Sequence, residues 1–224
     1  MSCAELIVES CGPLTTLQDR GRPGWRRIGL AASGALDDAA LCAANALVGN
    51  QPCTAGIELL AYGARFIAAG GPLRLALAGA DFPLTIDGQR IPSHTSVVLE
   101  EGARLAIGHA RNGVCAILAI EGGVAVPSML GSRSLHVRAR VGGYHGEPLR
   151  AGDRIPAVRT AALRGELTID PIALDTSAPI RILRGPQADH FSATALACFH
   201  TATFLVSAQS DRMGYRLTGP RIHA

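Results

Sequence analysis

Two apolar runs decide the fold class: Leu73-Arg74-Leu75-Ala76-Leu77-Ala78, and Pro83-Leu84-Thr85-Ile86, which leads straight into Asp87-Gly88. Both are of strand length and too short for a helix. Asp87-Gly88 is a strong hairpin signal, because both residue types tolerate positive φ. Outward from this pair, stretches 57–62, 65–68, 96–99, 104–107 and 114–120 also read as strands separated by short turn signals. Seven strands at this spacing predict a barrel or a sandwich, not alternating βαβ units. A further short strand is expected at 6–9, followed by a loop rich in Gly, Pro and Arg over 12–34.

Composition supports this. The chain has 224 residues, room for one large domain or two small ones, and 48% hydrophobic against 17% charged residues exclude a disordered chain. All 21 basic residues are Arg. With no Lys there is no Schiff base, no Walker-type phosphate lysine, no carbamylated metal bridge and no biotinylated lysine. Net charge is +3, with 9 Arg and 10 acids in residues 1–112 and 12 Arg and 8 acids in 113–224. There is no basic stripe, and aromatics are only 4%, so nucleic acid is not an expected partner. Glu5 and Glu9 argue against a secretory signal, and the apolar runs fall far short of the roughly 20 residues of a membrane span. Six Cys without a C-x-x-C pair suggest reduced thiols and a cytoplasmic protein, with Cys42 and Cys115 as small buried hydrophobes.

Stretch 36–48 predicts a helix. Leu36, Ala40, Ala43, Ala44 and Leu47 fall on one face, with Asp38 and Asn45 on the other. Ser33 or a neighbour can cap it, Asp37 and Asp38 suit its positive end, and Gly49-Asn50 stops it. Residues 1–155 form the expected first unit and 156–177 a linker. A partial second unit over 178–224 has a strand at 182–183, a helical stretch at 188–199 and a strand at 203–207.

The chemistry sits in polar stretches within Gly-rich loops. Gln18-Asp19-Arg20-Gly21-Arg22 could bind a carboxylate or carbonate through Arg with Asp fixing the guanidinium, or could be a solvated loop with an internal Asp–Arg pair. Ser33-Gly34-Ala35-Leu36-Asp37 sits at a helix N-terminus, an anion site or ordinary capping. Glu58 lies in an apolar strand, either inward with a partner or a shifted pKa, or outward on a half-exposed face. Gly131-Ser132-Arg133-Ser134 and Asp211-Arg212-Met213-Gly214-Tyr215-Arg216 each combine Arg with small residues. His and Cys show no zinc-ligand spacing, and no metal is expected.

In order, these stretches resemble one family. Thr15-Thr16-Leu17-Gln18-Asp19-Arg20-Gly21-Arg22, Ala32-Ser33-Gly34-Ala35-Leu36-Asp37, Ala44-Asn45-Ala46-Leu47-Val48-Gly49-Asn50, Ile57-Glu58, Glu121-Gly122-Gly123, Gly131-Ser132-Arg133-Ser134, Leu149-Arg150-Ala151-Gly152-Asp153, Arg184-Gly185-Pro186-Gln187 and Asp211-Arg212-Met213-Gly214-Tyr215-Arg216-Leu217 are similar to the allophanate hydrolase subunit 2 family. The same family is also known as the biotin-dependent carboxyltransferase subunit, the C subunit of 5-oxoprolinase, or the antagonist of a kinase-inhibitor protein. The resemblance implies a mainly β, cyclophilin-like β-barrel with a second related subdomain. Resembling members run on for roughly another 80 to 100 residues, so the second subdomain is expected to be incomplete.

The resemblance further implies a composite site with a subunit 1 type partner, and ATP-dependent opening of 5-oxoproline to glutamate with a third, hydrolase-like subunit. In fused relatives the same pair moves carboxyl from carboxybiotin to urea, with biotin on another chain. The remaining alternative is a non-catalytic antagonist that binds a kinase-inhibitor partner. The implied catalytic residues are Asp19, Arg22, Glu58, Arg133 and Arg212, the arginines stabilising developing negative charge and Asp19 or Glu58 relaying protons. Gln18, Gly21, Ser33, Gly34, Asp37, Asn45, Asn50, Ser132, Asp211, Gly214 and Arg216 are expected to bind a small amide or lactam.

Overall fold

The computed structural model describes residues 4–158, 165–171, 178–212 and 214–223. They fall into two compact units, Met1–Ile172 and Ala173–Ala224. The first unit runs β1 (Glu5–Cys11), β2 (Thr16–Gln18), α1 (Asp38–Leu47), β3 (Gly56–Leu60), β4 (Ala64–Ala69), β5 (Leu73–Asp81), β6 (Leu84–Ile86), β7 (Gln89–Ile91), β8 (Ser96–Leu99), β9 (Arg104–Ile107), β10 (Asn112–Ile120) and β11 (Arg154–Pro156). The strands pair as a six-stranded sheet, β11-β1-β4-β9-β6-β7, and a five-stranded sheet, β2-β3-β10-β5-β8. Every pairing between these strands is antiparallel. The chain is mainly β, as its strand spacing predicts.

Leu6, Val8, Phe66, Leu105 and Ile107 of one sheet and Leu17, Ile57, Leu59, Leu75, Leu77 and Leu118 of the other form one buried cluster. The alternation is sharpest in β5, whose leucines enter this core while Ala76 and Ala78 face the opposite way. There they meet Ala40, Leu41, Ala44 and Leu47 of α1, together with Ile117 and Ala119 of β10. Alanine lets the helix lie close on the sheet, so β5 and β10 are buried on both faces and read as nearly continuous apolar runs. Asp87 (φ 48°) and Gly88 (φ 82°) form the expected hairpin turn, pairing Ile86 with Gln89.

Three strands of the first unit lie outside the predicted set. β2, β7 and β11 span three residues each. β2 is polar at two of its positions, and Thr16, Leu17 and Gln18 are all buried, so no alternation marks it. Helix α1 begins later than expected. Asp37, not Ser33, is its N-cap, accepting the Ala40 N–H at 2.9 Å. Leu36 is outside the helix and 49% exposed, whereas Asn45, expected on the polar face, is fully buried. Cys115 is buried as expected; Cys42 is half-buried, its sulfur accepting from Arg20 Nη2 at 3.0 Å.

Part of the expected linker pairs with the first unit. Leu167 O accepts the Ser96 N–H at 2.8 Å, and the Ile169 N–H donates to His94 O at 3.0 Å. Positions 159–164 and 172–177, including Arg159 and Arg164, lie outside the described residues. The second unit contains a 3-10 turn at Ala188–His190, then α2 (Ala193–Thr201), and a two-stranded ladder of β12 (Leu205–Val206) and β13 (Leu217–Thr218). The helical stretch expected at 188–199 is thus two pieces, because the Ser192 side chain caps a new helix by accepting the Ala195 N–H. Ile182 and Leu183 form no strand and are 48% and 97% exposed.

Candidate active site

Two loops distant in sequence are tied together on one carboxylate. Asp19 Oδ1 accepts the Gly21 N–H at 2.7 Å and the hydroxyls of Ser132 and Ser134, each at 2.6 Å. Its Oδ2 accepts the Arg133 N–H at 2.6 Å. The Asp19 N–H returns a bond to Ser134 Oγ at 2.8 Å, and the Ser134 N–H donates to Ser132 Oγ at 2.9 Å. Ser132 and Ser134 are buried and turn both hydroxyls to the same carboxylate oxygen, while Arg133 between them is exposed. Charge-assisted bonds of this kind are the strong ones.

The internal Asp–Arg pair considered for this loop does not form. Arg20 pairs instead with Asp38, at 2.8 Å and 2.9 Å in bidentate geometry. Arg22 is 1% exposed and is held by carbonyls: Nη2 donates to Ser134 O and Nε to Met129 O at 3.3 Å. Its Nη1 is buried without a hydrogen-bond partner among the described residues. Burial pulls the Arg22 pKa below the usual arginine value, opposed by the Asp19 charge.

Gly21 and Gly34 allow the backbones of these loops to touch. A Cβ on Gly21 would lie 2.5 Å from Ala32 O, and one on Gly34 3.0 Å from Arg20 O. Arg22 N–H donates to Ala32 O at 2.7 Å. Ser33 and Gly34 both have positive φ, but the next two N–H groups are spent within the fold. The Ala35 N–H donates to Asp19 O at 2.8 Å, and the Leu36 N–H to Glu58 Oε2 at 2.7 Å.

Glu58 is fully buried, so the outward alternative falls. It pairs across the sheet with Thr16 and with Ile117 and shares their face, the one covered by α1. Its carboxylate therefore steadies the helix entry, where the dipole favours negative charge. Gln18 is on the same face, its Nε2 donating to Thr16 Oγ1 at 3.0 Å and Leu135 O at 3.2 Å, with Oε1 buried and unpartnered among the described residues. Asn45 Nδ2 donates to Leu41 O and Thr54 O, and Asn50 Nδ2 to Asn45 Oδ1 and Ile120 O; Asn50 Oδ1 accepts the Gly122 N–H. Their amides latch the end of α1 to β10, which accounts for every donor they have.

The structure thus brings Asp19, Gly21, Arg22, Ser132 and Arg133 together, with Ser33, Gly34 and Asp37 beside them and Glu58 behind the helix entry. Asp211, Arg212, Gly214 and Arg216 belong to the second unit. There Asp211 and Gly214 exchange backbone hydrogen bonds at 3.2 Å and 3.1 Å, and Ser210 Oγ accepts the Arg216 N–H at 2.9 Å. Among the described residues no group of His, Cys, Asp and Glu is arranged to hold a metal, and no helix is long and apolar enough to cross a membrane.

The order of these loops around a two-sheet core has a counterpart. The model of the carboxyltransferase domain, subdomain A and B, matches residues 28–224. The chain belongs to that family. It is 33% identical to the C subunit of 5-oxoprolinase from Escherichia coli K12 over 96% of this chain and 68% of that protein. It is 33% identical to urea amidolyase of Saccharomyces cerevisiae over 94% of this chain, but only 12% of the much longer yeast protein. The crystal structure of TTHA0988 superposes with a TM-score of 0.85 at 32% identity, over 97% of this chain and 79% of that one.

Two features of this carboxyltransferase-family chain were missed by sequence reasoning. Ser134 completes the Asp19 cluster, and the Ser-x-Ser spacing was the signal available. Arg74 and Glu121, 2% and 1% exposed, form a buried ion pair at 3.5 Å. Nothing in the run around Arg74 marks it as inward, because its strand is apolar on both faces.

Proposed function

We propose that this chain is a cytoplasmic component of a 5-oxoprolinase-type complex, in which ATP-dependent addition of water opens the lactam C–N bond of 5-oxoproline to give glutamate. The active site is shared with a subunit 1 type partner and a third, hydrolase-like subunit. One observation carries this reading: the loop that Asp19 holds presents exposed Arg133 together with Met129 and Leu130, which are 46% and 42% exposed. Apolar side chains gathered around a polar site mark a surface that a partner completes. Kinship with the E. coli 5-oxoprolinase component supports the choice of reaction.

In this proposal Arg133 meets the developing negative charge, and Arg22 holds the Met129–Ser134 backbone that carries it. Asp19 positions both loops; its four accepted hydrogen bonds leave it poorly suited to proton relay. Nucleotide phosphates need convergent free donors, whereas the donors here are spent on a carboxylate that would repel them. The Asp19 cluster therefore does not fit ATP, which we assign to other subunits, and a chain without Lys does not carry biotin covalently.

Kinship with yeast urea amidolyase favours a second reading, carboxyl transfer from a carboxybiotin borne on another chain to urea. Reconstitution with the cognate subunit 1 type and hydrolase-like proteins separates the two. Glutamate formation that needs both 5-oxoproline and ATP, and falls at least tenfold in Arg133→Ala, is the expected result. Urea-dependent turnover alone selects the second reading, and a full rate in Arg133→Ala removes the site assignment.

A further inference from the structure

The solvent face of the six-stranded sheet carries a groove lined by none of the residues tied on Asp19 and unused by the proposed reaction. A cavity of about 630 Å³ lies over β4, β9 and β6, and a second of about 410 Å³ continues from it; Arg65 lines both. Register explains the shape. Arg65 of β4 and Thr85 of β6 both sit opposite Ala106 of β9, so the three side chains share one face in a row. Alanine between two longer residues makes a floor with two walls. The groove continues past Gly63 and Gly108, which add no side chain, to Tyr62 and His109, packed edge to face at 5.6 Å.

The charges in the groove are unevenly spent. Arg104 is paired with Glu9 at 3.1 Å, and its N–H donates to Asp87 Oδ1 at 2.9 Å. Arg65 is exposed and has neither an ion pair nor a hydrogen bond from its guanidinium among the described residues. A planar guanidinium over a flat floor, with a hydroxyl opposite and an aromatic end beyond, suits an anion whose charge is planar and whose body is apolar.

We infer that this groove binds a small aromatic carboxylate, its charge between Arg65 and Thr85 above Ala106 and its ring toward Tyr62 and His109. Solvent-exposed ion pairs are weak, so the dissociation constant is on the order of 1 mM.

The test is titration of the full chain by NMR with benzoate, and with benzamide as its uncharged counterpart. Benzoate is expected to bind, and benzamide at least tenfold more weakly. Arg65→Gln should weaken benzoate at least tenfold, and Ala106→Leu should do the same by raising the floor without changing any charge. Both positions face solvent, and circular dichroism of each variant checks that the fold is kept. Absence of benzoate binding in the wild type overturns the inference. So does equal binding of benzamide, or undiminished binding in either folded variant. None of these outcomes bears on the 5-oxoproline assay, because the groove lies outside that site.

Discussion

Asp19 Oδ1 and Oδ2 together receive four hydrogen bonds from a loop on either side, so its removal leaves buried donors with nowhere to go. Asp19→Ala is expected to cost on the order of 3 kcal/mol, read from urea unfolding; less than about 1 kcal/mol would show that the cluster is not what joins the loops. His94 gives a pH-dependent counterpart. It is buried, with Nε2 accepting the Gly79 N–H at 3.3 Å, and burial lowers its pKa from 6.5 against the Asp81 charge. Well above pH 6.5 the ring is neutral whether the chain is folded or not, so its contribution is complete. As the pH falls below that value the unfolded chain takes up a proton that the folded ring resists, and stability drops. His94→Asn keeps a residue type tolerant of the φ of 57° here, so its melting temperature should fall less than that of wild type on acidification. Parallel curves would dissociate the titration from His94. At this scale the sequence located the polar stretches but not their partners. Glu58 looks the same in a strand whether it faces water or a helix entry, and the Arg20 partner proved to be Asp38 across the loop, not its neighbour Asp19.

Elements were legible wherever periodicity was long enough to measure. The alternating Leu and Ala of β5 and the Asp87-Gly88 turn could be read directly, whereas β2 could not, because its polar side chains are buried by loops that come much later in the chain. Helix α1 was legible as a helix, yet Asn45 was placed on the wrong face. A buried amide satisfied by Leu41, Thr54 and Asn50 is indistinguishable from a solvated one until its acceptors are known. Two variants probe the elements themselves. Asp37→Ala removes the α1 cap and should cost about 1 kcal/mol of unfolding free energy. Gly63→Ala, in the turn between β3 and β4, would place a methyl 1.9 Å from Ile107 O. Backbone cannot step aside as a side chain can, so a loss of roughly 3 kcal/mol or more is expected; a change within about 0.5 kcal/mol would show that the turn shifts freely.

The two units differ in how much they bury. The first holds the inter-sheet core, while Ala195 is the second unit's sole buried residue among those described, and Ile180 and Leu183 are 91% and 97% exposed. Limited trypsin treatment should therefore cut first at Arg181 and Arg184 and leave a fragment retaining 4–158, identified by mass. Early cleavage at Arg65, Arg90 or Arg104 with 181–216 intact would contradict this. Within the first unit, the bond from Asp19 N–H to Ser134 Oγ joins residues 115 apart, and β1 takes its partners from both β4 and β11, with Leu6 opposite Ala68 on one side and Ile155 on the other. Such closures are costly in chain entropy until the intervening strands have collapsed, which places this topology among slow folders. During synthesis β1 and the arginine-rich loop after it emerge before their partners and must wait until Ser132–Ser134 and β11 have been made. The loops of the candidate site consequently cannot close before Ser132–Ser134 has been made, and an Asp19 carboxylate without its serines is a mark of a chain still being made.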